Sequence, residues 1–400
     1  MPNPRGPRAP RPVALVGLGA AGASLAWRLA GTGVPLEVFE APRGAAQRTQ
    51  ERTWCTWGPP GGPGPFGPLV VARWSRVRVV GADGQEVVAD LGSWRYRMLR
   101  SVDVEEAVRG RLERAGVPVH EVVVEDVAAL ARRTGAQVVD TRPVPVPAGG
   151  RTLLLQHFLG RRVRTERPVF DVRTATLMDF RTPQPAGGVA FGYVLPTSPT
   201  EALVEYTEFS AQLLPPGQYA DRLEEYLRRS GIGAHEVLAE ERGVIPMTDA
   251  RFPPDPRAGV LRWGAASGSV RPSTGYAFSA LQRQADALAA QAVRGGPLVL
   301  PPAHGRRHLL MDSLVLEALA TGRVDGARFF VELFRRNPVQ RVLGFLDGAS
   351  GPAADLALMA TSPRGPMLAT VAGRLRRRPR APVRSPEPGA AAALRRSLRR

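Results

Sequence analysis

Three glycines and one glutamate near the start of the chain have the spacing of a phosphate-binding turn. Gly17, Gly19 and Gly22 follow the apolar run 13–16, and Glu40 closes a second apolar run. The first glycine permits a tight turn, the second lets a pyrophosphate approach the backbone, and the third lets a helix pack on the strand. A carboxylate about 20 residues further on accepts a hydrogen bond from a ribose hydroxyl. The spacing predicts a site for FAD or NAD; a packing turn in an ordinary α/β domain is the alternative.

Glu205 is a candidate catalytic residue, and it lies in a predicted strand of mostly apolar residues. On a strand, Glu205 shares its face with Leu203, Thr207 and Phe209, whereas Glu208 points to the other face. An apolar pocket there would raise the pKa of the Glu205 carboxyl and keep it neutral, so that it could donate a proton. The alternative is a surface glutamate on an edge strand.

A second glycine-rich turn lies far along the chain. It follows a predicted strand over 259–263, runs from Gly264 to Tyr276, and precedes a predicted helix over 277–292. Two such turns indicate a cofactor domain built from two segments, which FAD needs more often than NAD because its flavin extends beyond the pyrophosphate.

The elements that must position these residues predict an α/β fold. We expect a discontinuous Rossmann-like FAD-binding domain, a second β-rich substrate lobe and a helical C-terminal part. The expected segments are a flexible arm (1–10), the first part of the FAD domain (11–150), the substrate domain (151–245), the second part of the FAD domain (246–300), a helical region (301–373) and a disordered Arg-rich tail (374–400).

Composition excludes several classes of chemistry. The chain has 400 residues, of which 44% are hydrophobic, enough for two or three packed lobes. Its single cysteine, Cys55, excludes an intrachain disulfide and a CxxC site, and the absence of lysine excludes a P-loop lysine and a Schiff base. His304 and His308 have the spacing of a metal pair, but no glutamate lies between them. We expect no metal site and interpret this segment as a solvated, Arg-rich turn.

The positive charge of the chain is concentrated at its C-terminal end. The net charge is +18, and residues 374–400 contain ten arginines and one acidic residue, which is half of that charge. Such a tail fits attachment to an anionic membrane better than nucleic-acid recognition, and we expect no nucleic-acid partner. A solvated tail without a partner is the alternative.

We find no apolar run of about 18 residues and no signal-peptide pattern. We therefore expect a cytoplasmic protein bound peripherally to the cytoplasmic membrane.

Five segments, taken together and in order, resemble the bacterial and plant lycopene cyclases. They are Arg52-Thr53-Trp54-Cys55, Leu177-Met178-Asp179-Phe180-Arg181-Thr182, Leu203-Val204-Glu205-Tyr206-Thr207, Gly243-Val244-Ile245-Pro246-Met247-Thr248-Asp249 and Val270-Arg271-Pro272-Ser273-Thr274-Gly275-Tyr276. The resemblance implies the architecture of the aromatic-hydroxylase flavoproteins. It also implies the closure of the ψ-ends of lycopene to β-ionone rings, giving γ-carotene or β-carotene without net redox change. The implied cofactor is reduced FAD, with NAD(P)H as the external reductant.

The resemblance also implies roles for particular residues. Glu205 stands where the family has its proposed acid, the first of two adjacent glutamates, and Tyr206 replaces the second. The implied substrate pocket is formed by Trp54, Trp57 and Tyr206. The implied cofactor contacts are Gly17, Gly19, Gly22, Glu40, Gly264, Pro272, Thr274, Gly275 and Tyr276. Ala265 stands where the related hydroxylases have an aspartate that contacts the ribityl chain.

The sequence is also compatible with two other functions. An FAD-dependent monooxygenase or reductase acting on another isoprenoid or aromatic would share the fold, but it would consume NAD(P)H stoichiometrically with product. A non-catalytic, Arg-rich binder of membranes or nucleic acid would depend on the tail and would not need Glu205. Neither the number of rings formed nor the group that removes the final ring proton is evident from the residues.

Overall fold

The computed structural model describes residues 9–46, 48, 51–62 and 64–376. In chain order the strands are β1 (Val13–Val16), β2 (Leu36–Glu40), β3 (Thr53–Gly58), β4 (Ala72–Trp74), β5 (Arg76–Val80), β6 (Glu86–Asp90), β7 (Arg95–Arg100), β8 (Val119–Glu121), β9 (Gln137–Asp140), β10 (Leu153–Thr165), β11 (Thr174–Asp179), β12 (Val189–Pro196), β13 (Glu201–Ser210), β14 (His235–Thr248) and β15 (Val260–Arg262). The α-helices are α1 (Ala20–Leu29), α2 (Ser101–Arg114), α3 (Val127–Thr134), α4 (Pro216–Arg229), α5 (Phe278–Val293), α6 (Arg306–Ala320), α7 (Gly326–Arg336), α8 (Val339–Leu346), α9 (Pro352–Ala360) and α10 (Arg364–Arg376).

A parallel sheet of five strands, in the order β15-β9-β1-β2-β8, forms the first layer. Its central strand β1 is buried along its whole length, as expected for a parallel strand covered on both faces. Helices α1 and α5 pack against each other beside this sheet. Because β15 follows the β-rich lobe in the chain, this layer is built from two separate segments.

A second sheet of seven strands, in the order β14-β10-β13-β12-β11-β5-β6, forms the β-rich lobe. Adjacent strands in this sheet are antiparallel, except for the parallel pair β11 and β5. Strands β5 and β6 belong to this sheet, although they lie within the range 11–150 assigned from sequence to the FAD domain. Val77 and Val79 of β5 are buried in the core of the second lobe. Their alternating pattern predicts a strand but does not show which sheet the strand joins.

A small sheet of three strands, β3-β7-β4, joins the two lobes. Helix α4 covers one face of the seven-stranded sheet with a core that includes Tyr206, Tyr219 and Leu223. Helices α6 to α8 cover part of the other face, and Phe329 and Phe330 of α7 lie in its core. Within the described part of the chain, no helix has the length and apolar content needed to cross a bilayer.

The two predicted terminal segments lie mainly outside the described residues. The arm 1–10 is described only from residue 9, and the tail only as far as residue 376. The beginning of the tail is not disordered, because Arg374 lies in α10 and forms ion pairs with Glu317 at 2.7 Å and Asp249 at 2.9 Å. These carboxylates give Arg374 a structural role that a count of arginines does not predict.

Candidate active site

The first glycine-rich turn has the shape expected of a phosphate cradle. Gly17 has a φ of +97°, and a Cβ on Gly22 would lie 1.8 Å from the Gly17 carbonyl oxygen. A Cβ on Gly19 would meet no protein atom within 4 Å. Helix α1 starts directly after Gly19 without a side-chain cap or an acidic residue in its first turn. Its N–H groups and the positive end of its dipole therefore favour an anion beside Gly19.

Glu40 ends β2 next to this turn. Its Oε2 accepts a hydrogen bond from the backbone N–H of Leu18, and its Oε1 lies 3.8 Å from Arg48 Nη1. Burial raises the pKa of Glu40 above its ordinary value, and the Leu18 hydrogen bond and the charge of Arg48 oppose that effect. The carboxyl is thus held at the carboxyl end of the parallel sheet, where ligands of this fold bind.

The second glycine-rich turn packs against the first. A Cβ on Gly264, whose φ is +87°, would lie 3.5 Å from the Ala21 side chain of α1. Further along the turn, Pro272 and Thr274 are buried. Gly275 has a φ of +73°, and its N–H donates to the Arg271 carbonyl at 3.0 Å. The structure therefore brings the two predicted cofactor segments together, whereas Ala265 is exposed at the surface.

A buried ion pair anchors this second turn to α6. Arg271 Nη2 donates to Asp312 Oδ1 at 2.7 Å, and Ser273 Oγ donates to the same oxygen at 2.8 Å. Both Arg271 and Asp312 are almost fully buried, and burial raises the pKa of Asp312 to about 6. Because a buried charge is costly without its partner, this pair fixes the position of the turn.

Glu205 lies in a row of residues that crosses four neighbouring strands. Tyr193 of β12 pairs with Glu205 of β13, Glu205 pairs with Gly160 of β10, and Gly160 pairs with Glu241 of β14. Directly paired residues point to the same face of a sheet. Tyr193, Glu205 and Glu241 therefore face the cleft between the lobes, and Glu241 is a residue that sequence reasoning missed.

Gly160 is the reason that the two glutamates meet. A Cβ at this position would lie 2.7 Å from Glu205 Cγ, so any larger residue would displace the Glu205 side chain. With glycine between them, the carboxyl groups of Glu205 and Glu241 are hydrogen-bonded to each other. Thr53 Oγ1 donates to Glu241 Oε2 at 2.8 Å, and the Arg52 guanidinium stabilises negative charge on both carboxyls.

A hydrogen-bonded set of tyrosines continues from Glu205 into the cleft. Tyr193 donates to Cys55 Sγ at 3.1 Å, and Tyr96 Oη lies 2.8 Å from Tyr193 Oη and 3.1 Å from Tyr276 Oη. Trp57 stacks on Tyr96 with ring centroids 5.7 Å apart and meets Tyr276 edge-on at 4.6 Å. Burial raises the pKa of Cys55 to about 12. This wall therefore presents aromatic rings and uncharged groups.

Of the three predicted pocket residues, the structure brings only Trp57 to this wall. Trp54, three residues earlier on β3, points to the opposite face and lies 5.8 Å from the ring of Phe278. Tyr206 lies behind the seven-stranded sheet, where its hydroxyl donates to Glu208 Oε2 at 2.8 Å. Both placements follow from the alternation of side chains along a strand. Trp54 and Tyr206 are thus separated from the Glu205 carboxyl.

The environment of Glu205 suits an acid. Glu205 is 7% exposed. Burial and the neighbouring Glu241 raise its pKa well above the ordinary value, against the opposing effect of Arg52. A carboxyl that stays protonated at neutral pH beside aromatic rings can transfer a proton to a weakly basic, apolar group.

The two histidines whose spacing resembles that of a metal pair make hydrogen bonds and ion pairs inside the protein. The prediction of a solvated turn is wrong for both side chains, because His304 and His308 are buried. His304 Nε2 lies 3.0 Å from the Ser269 carbonyl oxygen, and His308 Nε2 lies 3.3 Å from Asp355 Oδ2. Among residues 9–376 that the structure describes, no group of three potential ligands is placed to hold a metal ion.

Comparison with known proteins gives a family match over nearly the whole described chain. The family described as "Lycopene cyclase protein" matches residues 12–372. The lycopene beta-cyclase of Paracoccus sp. is 33% identical over 148 residues, covering 36% of this chain and 38% of the relative. An uncharacterized carotenoid cyclase of Deinococcus radiodurans is 33% identical over 34% of this chain and 32% of the relative. These alignments span only about a third of the length of each curated relative.

Solved structures support the fold at low sequence identity. A geranylgeranyl bacteriochlorophyll reductase-like protein of Thermoplasma acidophilum superposes with a TM-score of 0.65 at 13% identity, covering 90% of this chain and 98% of that chain. Klebsiella pneumoniae HpxO, solved with FAD and uric acid, has a TM-score of 0.53 at 14% identity, covering 88% and 98%. The expected aromatic-hydroxylase-like flavoprotein architecture is therefore confirmed.

Proposed function

The chain belongs to the lycopene cyclase family, and on that premise we propose that it is an FAD-dependent lycopene β-cyclase. It would close the ψ-ends of lycopene or a related carotenoid to β-ionone rings by acid-catalysed isomerisation. The observation that carries this proposal is the buried carboxyl of Glu205, whose raised pKa keeps it protonated opposite an aromatic wall. The reaction needs such a group, because protonating an alkene creates a carbocation that water would quench.

Each residue around Glu205 has a role in this chemistry. Glu205 would protonate the terminal double bond of the polyene. The rings of Trp57, Tyr96 and Tyr276 would face the resulting cation, attract it through their π electrons and exclude water. The tyrosine hydroxyls are hydrogen-bonded to one another, which fixes the orientation of the rings.

The residues of the two glycine-rich turns fit FAD. The open space at Gly19 and the uncapped start of α1 suit a pyrophosphate, and Glu40 suits a ribose hydroxyl. Among the described residues, Arg271 Nε, Arg271 Nη1 and Gln156 Oε1 are buried without a hydrogen-bond partner, which suits a polar cofactor group beside the second turn. Reduced FAD, with NAD(P)H as its external reductant, would supply negative charge that stabilises the cation.

We also propose a peripheral position on an anionic membrane, from which an apolar polyene could enter. Three helices of the C-terminal region expose apolar side chains, and α6 is tied to α9 and α10 by ion pairs. The exposed residues are Leu309, Leu310, Leu356, Met359, Leu368 and Val371. All the acidic residues of these helices, Asp312, Glu317 and Asp355, are buried. Arg306, Arg307 and Arg364 are exposed, so this surface combines apolar and positive groups.

Replacing leucines on this surface should weaken membrane binding. We expect the combined variant Leu310→Asn, Leu356→Asn and Leu368→Asn to lower partitioning onto phosphatidylglycerol-containing vesicles at least about tenfold, because each leucine side chain contributes roughly 1.5–3 kcal/mol when it leaves water. Co-sedimentation measures the effect. Val169→Asn with Val172→Asn, exposed apolar residues of the β-rich lobe, is the control. Unchanged partitioning of the leucine variant would contradict this assignment.

Expression in cells that accumulate lycopene tests the proposed activity. We expect the wild-type protein to convert lycopene into pigments of equal mass with blue-shifted absorption, because each ring twists the last conjugated double bond out of the plane of the polyene. Chromatography with absorption and mass detection measures both properties. Lycopene that stays unchanged, or that gains oxygen or hydrogen, would contradict the cyclase and favour the monooxygenase or reductase alternative.

A further inference from the structure

The buried carboxyl of Glu205, the half-buried carboxyl of Glu241 and the guanidinium of Arg52 meet at the end of the cleft. We propose that Glu205 and Glu241 hold a single proton between them and work as a pair, in which Glu241 is the positioning residue that keeps the proton on Glu205. This inference rests on the proposed function, because it concerns the acid of that reaction. Its basis is the row of residues across β13, β10 and β14, which places the two carboxyls on one face with only Gly160 between them.

The charges that face this pair come from several elements. Arg52, directly before β3, carries the positive charge. Cys55 of β3 and Tyr193 of β12 also lie within electrostatic reach of Glu205, as does Tyr276 of the second turn. Burial raises the pKa of the Cys55 thiol and of both tyrosines, so these groups stay neutral. Neutrality of the cluster therefore requires one negative carboxylate and one protonated carboxyl beside Arg52.

Hydrogen bonds and burial together decide which carboxyl carries the proton. Glu241 accepts from Thr53 Oγ1 at 2.8 Å and from the Thr53 backbone, whereas Glu205 accepts from the Thr207 side chain. Each donated hydrogen bond stabilises the ionised form, so the difference favours charge on Glu241. Glu241 is only half-buried, whereas Glu205 is buried and borders the cleft. Loss of solvation disfavours charge most strongly on the deeper group. The proton thus resides on Glu205, where the substrate can receive it.

The pair also balances the charge of the reaction. When the alkene takes the proton, a C–H bond forms from the π electrons and the O–H bond of Glu205 breaks. The cluster then holds two carboxylates and one guanidinium, with a net charge of −1 opposite a carbocation of +1. The ring proton that leaves in the last step restores the single proton of the pair. No oxidant or reductant enters this balance.

The pair supplies a second carboxyl in a chain whose sequence lacks the adjacent one. Tyr206 occupies the position next to Glu205, but that position faces α4 and not the cleft. A carboxyl at residue 206 would point away from the carboxyl of Glu205. In this chain the partner comes instead from β14, across the sheet and not along the strand.

The pH dependence of activity in Glu241→Gln tests the pair. Removing the negative charge of Glu241 lowers the pKa of Glu205, and the unopposed Arg52 lowers it further. Activity that needs protonated Glu205 is lost as the pH rises through that pKa. The alkaline limb of the pH–activity profile should therefore move to lower pH. We expect at least about a tenfold loss at neutral pH that is partly recovered on acidification. Glu241→Asp, which keeps the charge, should retain the position of the wild-type limb.

Glu240→Gln is the matched control, because Glu240 is the neighbouring residue of β14 but is exposed and paired with Arg161 and Arg242. Infrared titration of the protonated carboxyl band provides a readout without substrate. The band should be absent in Glu205→Gln and should titrate at lower pH in Glu241→Gln. The proposal is overturned if Glu241→Gln shows a band at the wild-type pH, or an equal loss of activity at every pH. Absence of cyclisation with the expected band shift would instead overturn only the proposed reaction.

Discussion

Glu205→Gln is expected to lower the rate of carotenoid cyclisation by at least about 100-fold, the usual contribution of a general acid. Glutamine has nearly the same shape and can still accept a hydrogen bond, but it cannot deliver a proton to an alkene. The substitution also removes a buried ionisable group, so we expect the fold to be retained. Pigment analysis in lycopene-accumulating cells, with protein levels compared by immunoblot, measures the loss.

The neighbouring glutamate on the same strand makes the matched control. Glu208 is as buried as Glu205, but it lies on the other face and accepts a hydrogen bond from Tyr206. Glu208→Gln keeps an oxygen for that hydrogen bond, so cyclisation should remain within about twofold of wild type. Equal losses in the two variants would show that burial of a carboxyl on β13, and not proton donation to the cleft, explains the effect.

Gly19→Val is expected to abolish flavin binding without unfolding the protein. A Cβ at Gly19 meets no protein atom within 4 Å, and the residue has an extended backbone that valine can adopt. The added methyl groups would therefore occupy the space that we assign to the pyrophosphate. Flavin absorbance of the purified variant measures the loss, and circular dichroism measures the melting temperature of the apoprotein.

Gly22→Ala gives a different result at the same turn. Its Cβ would lie 1.8 Å from the backbone oxygen of Gly17, so the turn itself must move. We expect this variant to lose flavin and also to melt at a lower temperature. Normal flavin content in Gly19→Val would show that the cofactor does not approach the backbone there.

Local patterns predicted the parts of the site that lie within one segment. The glycine spacing and Glu40 at the end of β2 predicted the first turn, and the period of two placed Glu205 with Leu203 and Phe209 on one face. The same period could also have placed Trp54 and Trp57 on opposite faces of their strand, and likewise Tyr206 and Glu205. Side chains an odd number of positions apart on a strand point to opposite faces.

The partner of Glu205 could not be predicted in this way. Glu241 lies in β14, a strand with several charged residues that gives no apolar alternation. Its position depends on the pairing of β14 with β10 and on the glycine at residue 160. Register between strands that are distant in the chain is a tertiary property, and only an unexplained glycine within the long strand β10 hinted at a close approach.

We propose that this protein protonates and cyclises a carotenoid without net redox change. The most direct test adds lycopene in anionic vesicles to the purified flavin-loaded protein, reduced anaerobically, and follows NAD(P)H and pigment together. We predict several turnovers to a pigment of unchanged mass after a single reduction of the flavin, with no further NAD(P)H consumed. One NAD(P)H oxidised for each product formed, with oxygen or hydrogen gained in the pigment, would show a redox reaction in place of an isomerisation.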